Sequence, residues 1–101
     1  MKEIRGYDAI RRMRYISLQE DGYFTIYHLT ADLTKGVTSG WRKVEKCRLR
    51  KALPTRKYVT DSDHYLPYEN IDTGEEKMCF KILLRYIVFP PETEVLKVNW
   101  L

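Results

Sequence analysis

The sequence predicts an α+β fold in which one N-terminal helix packs with a small, curled, mainly antiparallel β-sheet or barrel-like core of about five strands. Three observations predict it. Apolar residues recur with a helical period in only one place, near the N-terminus. Downstream, segments rich in aromatic and β-branched residues alternate with period two. Between those segments stand Gly, Pro and Asp clusters of the kind that turn a chain. With 101 residues the chain is read as a single domain, 1–101, too short to divide between two cores.

Ala9, Ile10, Met13 and Ile16 fall on one arc of about 120°, with Arg11, Arg12 and Arg14 outside it, so the spacing predicts a helix over about 8–19. Asp8 is placed to cap it, and Gly22 is placed to take the left-handed conformation that often follows a helix end. A hairpin of residues 14–19 against 23–29 competes, setting Ile16 opposite Ile26 and Leu18 opposite Phe24. The helix is preferred because its period also accounts for Ala9 through Met13. Strands follow over about 23–30, 41–53, 65–71, 77–89 and 93–100. Residues 35–40 read as a loop, Pro54 ends the second strand, and Asp72-Thr73-Gly74 is a tight turn into the longest alternating run. In that run Phe80, Ile82, Leu84, Tyr86 and Val88 share one face. In the last strand Leu96, Val98 and Trp100 do the same.

Eighteen Lys and Arg against fourteen Asp and Glu give a net charge of +4, but the layout is uneven. Arg42, Lys43, Lys46, Arg48, Arg50, Lys51, Arg56 and Lys57 meet a single acid, Glu45. The stretch that follows, 61–76, carries Asp61, Asp63, Glu69, Asp72, Glu75 and Glu76 with no Lys or Arg. Either the two stretches neutralise each other as neighbours in the fold, or they form a positive and a negative patch. On a strand, the basic run also suits a sheet edge, where charge discourages unwanted pairing.

Chemistry-bearing motifs are missing. Cys47 and Cys79 have neither metal-site spacing nor a C-x-x-C neighbour, and they read as free, buried thiols, with a disulfide the less favoured state. His28 alternates with Phe24 and Ile26 and reads as a packed or rim histidine. The Asp61-Ser62-Asp63-His64 run fails as a calcium loop, because Leu66 and Asp72 stand where Gly and Glu are needed. No nucleophile motif and no phosphate-cradling Gly loop appears, so the expectation is no enzyme, no cofactor and no metal. No apolar run reaches the length of a membrane span, and the N-terminus lacks a secretory hydrophobic region. A cytoplasmic or virion-associated protein is expected, with no membrane partner.

Two function classes remain. Eight tyrosines, two tryptophans and divided charge suit contacts with a protein partner or with copies of the same chain. The alternative is nucleic-acid binding through segment 42–57, with Arg42, Lys43, Lys46, Arg48, Arg50, Lys51, Arg56 and Lys57 on phosphates and Trp41 and Tyr58 stacking.

The run Tyr7-Asp8-Ala9-Ile10-Arg11-Arg12-Met13-Arg14, then Tyr23-Phe24-Thr25-Ile26 with Thr30-Ala31-Asp32, Cys47-Arg48-Leu49-Arg50-Lys51, and Ile71-Asp72-Thr73-Gly74-Glu75 before Leu83-Leu84 resembles short proteins encoded in bacterial prophages and mobile elements. The resemblance implies a small, largely β protein comparable in size to connector and tail-completion components, and it carries no functional residue over. Where such proteins show an Asn-Gly turn between the last strands, this chain has Phe89-Pro90-Pro91-Glu92-Thr93. The expectation is a non-enzymatic structural or assembly protein of a phage or mobile element.

Overall fold

The computed structural model describes residues 1–32, 37–50 and 64–100, and places them in one helix and one seven-stranded mixed sheet. In chain order the elements are β1 (Glu3–Arg5), α1 (Gly6–Ser17), β2 (Phe24–Asp32), β3 (Val37–Leu49), β4 (Tyr65–Asn70), β5 (Glu76–Phe80), a single 3-10 turn (Lys81–Leu83), β6 (Leu84–Val88) and β7 (Leu96–Asn99). Across the sheet the order is β1-β7-β6-β2-β3-β4-β5, with β1 parallel to β7 and every other pair antiparallel. The class is α+β, with more strands than the expected five. No helix among the described residues is long and apolar enough to cross a membrane.

The connection from β5 to β6 makes the sheet curl. Four strand spacings separate these two in sheet order, about 19 Å in a flat sheet at roughly 4.8 Å each. The path from Phe80 to Leu84 has four Cα steps, which reach at most about 14 Å. The sheet therefore bends toward itself, and bulges in β2's pairing with β3 and β6 contribute local twist, but it does not close.

Helix α1 covers the concave face. Ile10 and Met13 join Phe24, Ile26, Val44, Cys47, Leu66, Tyr68, Cys79, Leu84, Ile87, Phe89, Leu96 and Val98 in one core. Phe24 and Phe89 meet edge to face at 6.3 Å, and the Arg12 guanidinium lies 4.2 Å from the Phe89 ring centre. Trp100 tucks under the start of the helix and donates its indole N–H to the Leu84 carbonyl at 2.8 Å. A side chain at Gly6 would run into that indole, so the first helical residue has to be glycine.

Several expectations need correction. The helix starts at Gly6 with Arg5 at the cap position, so Asp8 lies in the first turn, where its charge complements the helix dipole and meets Arg11 at 3.6 Å. Gly22 is not left-handed; a Cβ there would strike the Ile16 carbonyl, and close approach explains the glycine. Positive φ occurs instead at Gly40 and at Gly74, in the Asp72-Thr73-Gly74 turn. Residues 37–40 belong to β3 rather than to a loop, while the expected strand end at Pro54 lies outside the described residues. The basic strand is interior, between β2 and β4, and the edges are β1 and β5. The single run 77–89 is two strands. The 3-10 turn leaves Ile82 exposed, and a bulge at Arg85 inverts the alternation inside β6, so Leu84, Ile87 and Phe89 are buried. Cys47 and Cys79 are free and buried.

Candidate functional site

A basic run in a strand cannot form one patch, because neighbouring side chains point to opposite faces. On β3, pairing with β2 sets Lys43 beside Tyr27, Arg42 beside His28 and Trp41 beside Leu29. Arg42 therefore shares the concave face with buried His28, and Trp41 and Lys43 project from the convex face, away from the helix. Beyond the bulge, Lys46 pairs with Asp72 at 3.8 Å and lies 5.8 Å from the Tyr23 ring centre. Arg50 pairs with Glu76 at 2.7 Å. Arg48 donates to the Ser17 carbonyl at 3.2 and 3.1 Å and to the Gln19 carbonyl at 3.5 Å, closing the end of α1. Two of the acidic residues that follow thus neutralise part of the basic run, and its charges are dispersed. Lys51, Arg56, Lys57 and Tyr58 lie outside the described residues, as do Asp61 and Asp63.

Non-local pairing assembles a different group. Tyr27 is opposite both Lys43 on β3 and Tyr86 on β6, Tyr86 is opposite Lys97 on β7, and Lys97 is opposite Glu3 on β1. A single row thus crosses the convex face as Lys97-Tyr86-Tyr27-Lys43. The two tyrosine rings meet edge to face at 6.5 Å, and Trp41 lies tilted against Tyr86 at 5.8 Å with 59% of its surface exposed. The Lys43 ammonium lies 5.5 Å from the Tyr27 ring centre and 3.2 Å from Glu45. Hydrogen bonds to Glu45 and Tyr27 hold its pKa above the ordinary lysine value. Lys97 makes no ion pair among the described residues. Sequence spacing alone reaches Trp41 and Lys43. Tyr27 was legible as a strand residue, but Tyr86 and Lys97 join it only through the register.

The concave face ends in a polar chain. His28 continues the buried row of Phe24 and Ile26, and both ring nitrogens are engaged: Nδ1 with the Leu29 carbonyl and Nε2 with the Tyr68 hydroxyl, each at 2.9 Å. A carbonyl only accepts, so Nδ1 carries the proton and Nε2 accepts from Tyr68. Burial holds the imidazole below its ordinary pKa, partly opposed by the Leu29 carbonyl and reinforced by the Arg42 charge. Tyr68 is pushed up to about 12, chiefly by burial, partly opposed by the nearby Arg42 charge. The hydrogen bonds run from Tyr68 to His28 to the backbone. Burial also pushes Cys79 up to about 12 and raises Cys47, so both thiols stay protonated at neutral pH. No cluster of His, Cys, Asp and Glu suited to a metal occurs among the described residues. His64 accepts from the Lys81 amide through its backbone carbonyl.

No family model matches the sequence, and no curated protein or solved structure matches it.

Proposed function

We propose that this is a non-enzymatic binding domain whose convex sheet face takes single-stranded nucleic acid. The observation that carries the reading is the Lys97-Tyr86-Tyr27-Lys43 row with Trp41 beside it. Rings on a sheet face that no described element covers offer stacking surfaces to unpaired bases, and flanking ammonium groups meet phosphates. A duplex, whose bases are already stacked, gains nothing from the rings. The net charge of +4 favours a polyanion as well. Binding rather than catalysis is supported by the state of the reactive groups: His28 has both nitrogens occupied, and both thiols are protonated and buried.

The test is fluorescence anisotropy with a labelled oligothymidine of roughly 12 nucleotides, alongside Trp41 emission. Saturable binding that weakens with salt and quenches tryptophan is expected. Lys43→Glu with Lys97→Glu should lower affinity by at least about tenfold and flatten the salt dependence, and Tyr27→Ala should cost about 5-fold or more from lost stacking. Binding that ignores these substitutions would remove the convex face from consideration. Arg48→Glu is a poor probe of the same idea, because Arg48 holds the helix end.

A second reading is a structural or assembly role in a phage or mobile element through contacts with its own copies. Edge strand β5 favours it, since its outer backbone edge is unpaired in the sheet and Met78 and Ile82 stand exposed beside it. The diffuse resemblance to prophage-encoded proteins supports the setting. Light scattering across a concentration series would show a growing mass that Met78→Lys abolishes; a constant monomer mass would exclude self-assembly.

A further inference from the structure

Beyond the convex face, the open end of the concave face forms a cleft of about 320 Å³ between the end of β2, the start of β3 and β5 with the turn after it. Its walls are unusual for the end of a hydrophobic core. Arg42 enters from β3 and Lys77 from β5, Lys77 lying directly across from Tyr68. Among the described residues, no Asp or Glu lines it. Tyr65 and Phe80 stack at 4.7 Å and form a flat aromatic wall.

The two cations sit in different surroundings. The Arg42 charge lies beside the Tyr68 hydroxyl, which donates to His28, whose ring is locked onto the Leu29 carbonyl. The Arg42 guanidinium has five N–H donors in a planar fork. Arg42 forms no ion pair among the described residues, so its charge is available to an incoming group. Lys77 has Glu75 at 3.3 Å, outside the cleft, and that exposed contact is one a stronger anion would displace at little cost. Within the chain, Leu29 O and His28 Nε2 are each engaged by a donor.

We propose that this cleft binds a small aryl anion, a single aromatic ring bearing a phosphate or carboxylate, with the anionic group between Arg42 and Lys77 and the ring against the Tyr65–Phe80 wall. The volume sits at the lower end of small-molecule pockets and suits one ring with its head group. Phosphate and carboxylate share the chemistry that a guanidinium fork recognises, and this site is independent of any polymer bound on the convex face.

The experiment is a titration of the ¹⁵N-labelled full chain, with phenyl phosphate and benzoate as ligands and inorganic phosphate and benzyl alcohol as controls. At least one aryl anion should give saturable shifts at Arg42, Lys77, Tyr65 and Phe80. Benzyl alcohol and inorganic phosphate should each bind about tenfold more weakly or worse, because one lacks the charge and the other the ring. Arg42→Gln should weaken the aryl anion by about tenfold while amide dispersion stays native, as Arg42 is exposed. Should that variant lose its fold, Lys77→Gln provides the same reading from the opposite strand. The proposal is overturned if neither aryl anion gives saturable shifts, if a control binds as tightly as the aryl anions, or if a folded Arg42→Gln or Lys77→Gln chain keeps the parent affinity.

Discussion

The two sides of the bulge in β3, the second followed to Arg50 just past the strand, both carry positive charge and put it to different uses. Lys46, Arg48 and Arg50 are spent on an acid of the following turn, the end of α1 and an acid of β5. Arg42 and Lys43 are presented instead, one to a cleft and the other to an aromatic row. The bulge between Val44 and Cys47 divides them. What separates a structural cation from an available one is the identity of the strand or helix end that pairing brings alongside, and a local charge count contains none of that.

The strongest test of this division compares Arg48→Ala with Lys43→Ala. Arg48 satisfies carbonyls at the C-terminal end of α1, where a positive charge also complements the dipole, and hydrogen bonds from charged groups are worth about 2 kcal/mol. For a domain of this size that lowers the thermal midpoint by roughly 8–16 °C. Lys43→Ala should leave the midpoint essentially where it was and act on oligonucleotide binding alone. Equal shifts in thermal melts would dissolve the distinction between the halves.

Much of the fold was readable because it is local. The period of Ala9, Ile10 and Met13, the aromatic strand around Ile26, the alternation of Leu96 and Val98, and the glycine turn at Gly74 each declare themselves within a few residues. The losses are equally physical. Strand β1 contributes one inward residue, Ile4, between charged neighbours, which is too short for any period to show. The turn at Lys81–Leu83 lies inside an unbroken alternating run, and only the need to lead β5 into β6 across a curled sheet explains it. Of the candidate site, Trp41, Arg42 and Lys43 were in view from the start. Tyr86, Lys97, Tyr68 and Lys77 reach it from distant parts of the chain through register, which spacing cannot reveal.

The concave and convex faces should differ in their response to pH. On the concave face His28 is held neutral, with a folded-state pKa below the ordinary value of 6.5. The unfolded chain therefore takes up a proton first as pH falls, so stability is fully present above about 6.5 and declines below it until the folded pKa is reached. The slope for one proton is at most about 1.4 kcal/mol per pH unit. Tyr68 and Cys79, at about 12, take no part in this window. Chemical denaturation at pH 7.5 and at pH 5.5 should show this loss in the parent chain. In a His28→Gln variant, weaker overall for its imperfect replacement of two buried hydrogen bonds, the pH-dependent part should shrink. A parent chain equally stable at both values would mean that His28 is not held neutral by its surroundings.

The smallest effect is expected where charge is most conspicuous in the sequence. Lys46 and Asp72 form the contact that joins the basic stretch to the acidic one, yet both side chains are about half exposed and the separation is 3.8 Å. Exposed pairs of this kind contribute about 0–1 kcal/mol, because water already solvates both charges and ordering two side chains offsets the attraction. Lys46→Gln and Asp72→Asn, singly and together, should each move the thermal midpoint by only a few degrees at most, with a double-mutant coupling near zero that vanishes in added salt. A coupling comparable to the loss at Arg48 would mean that the acidic turn anchors β3 in the way the helix end does, and the two halves of the strand would then be separated by how firmly each is tied down rather than by which partner it meets.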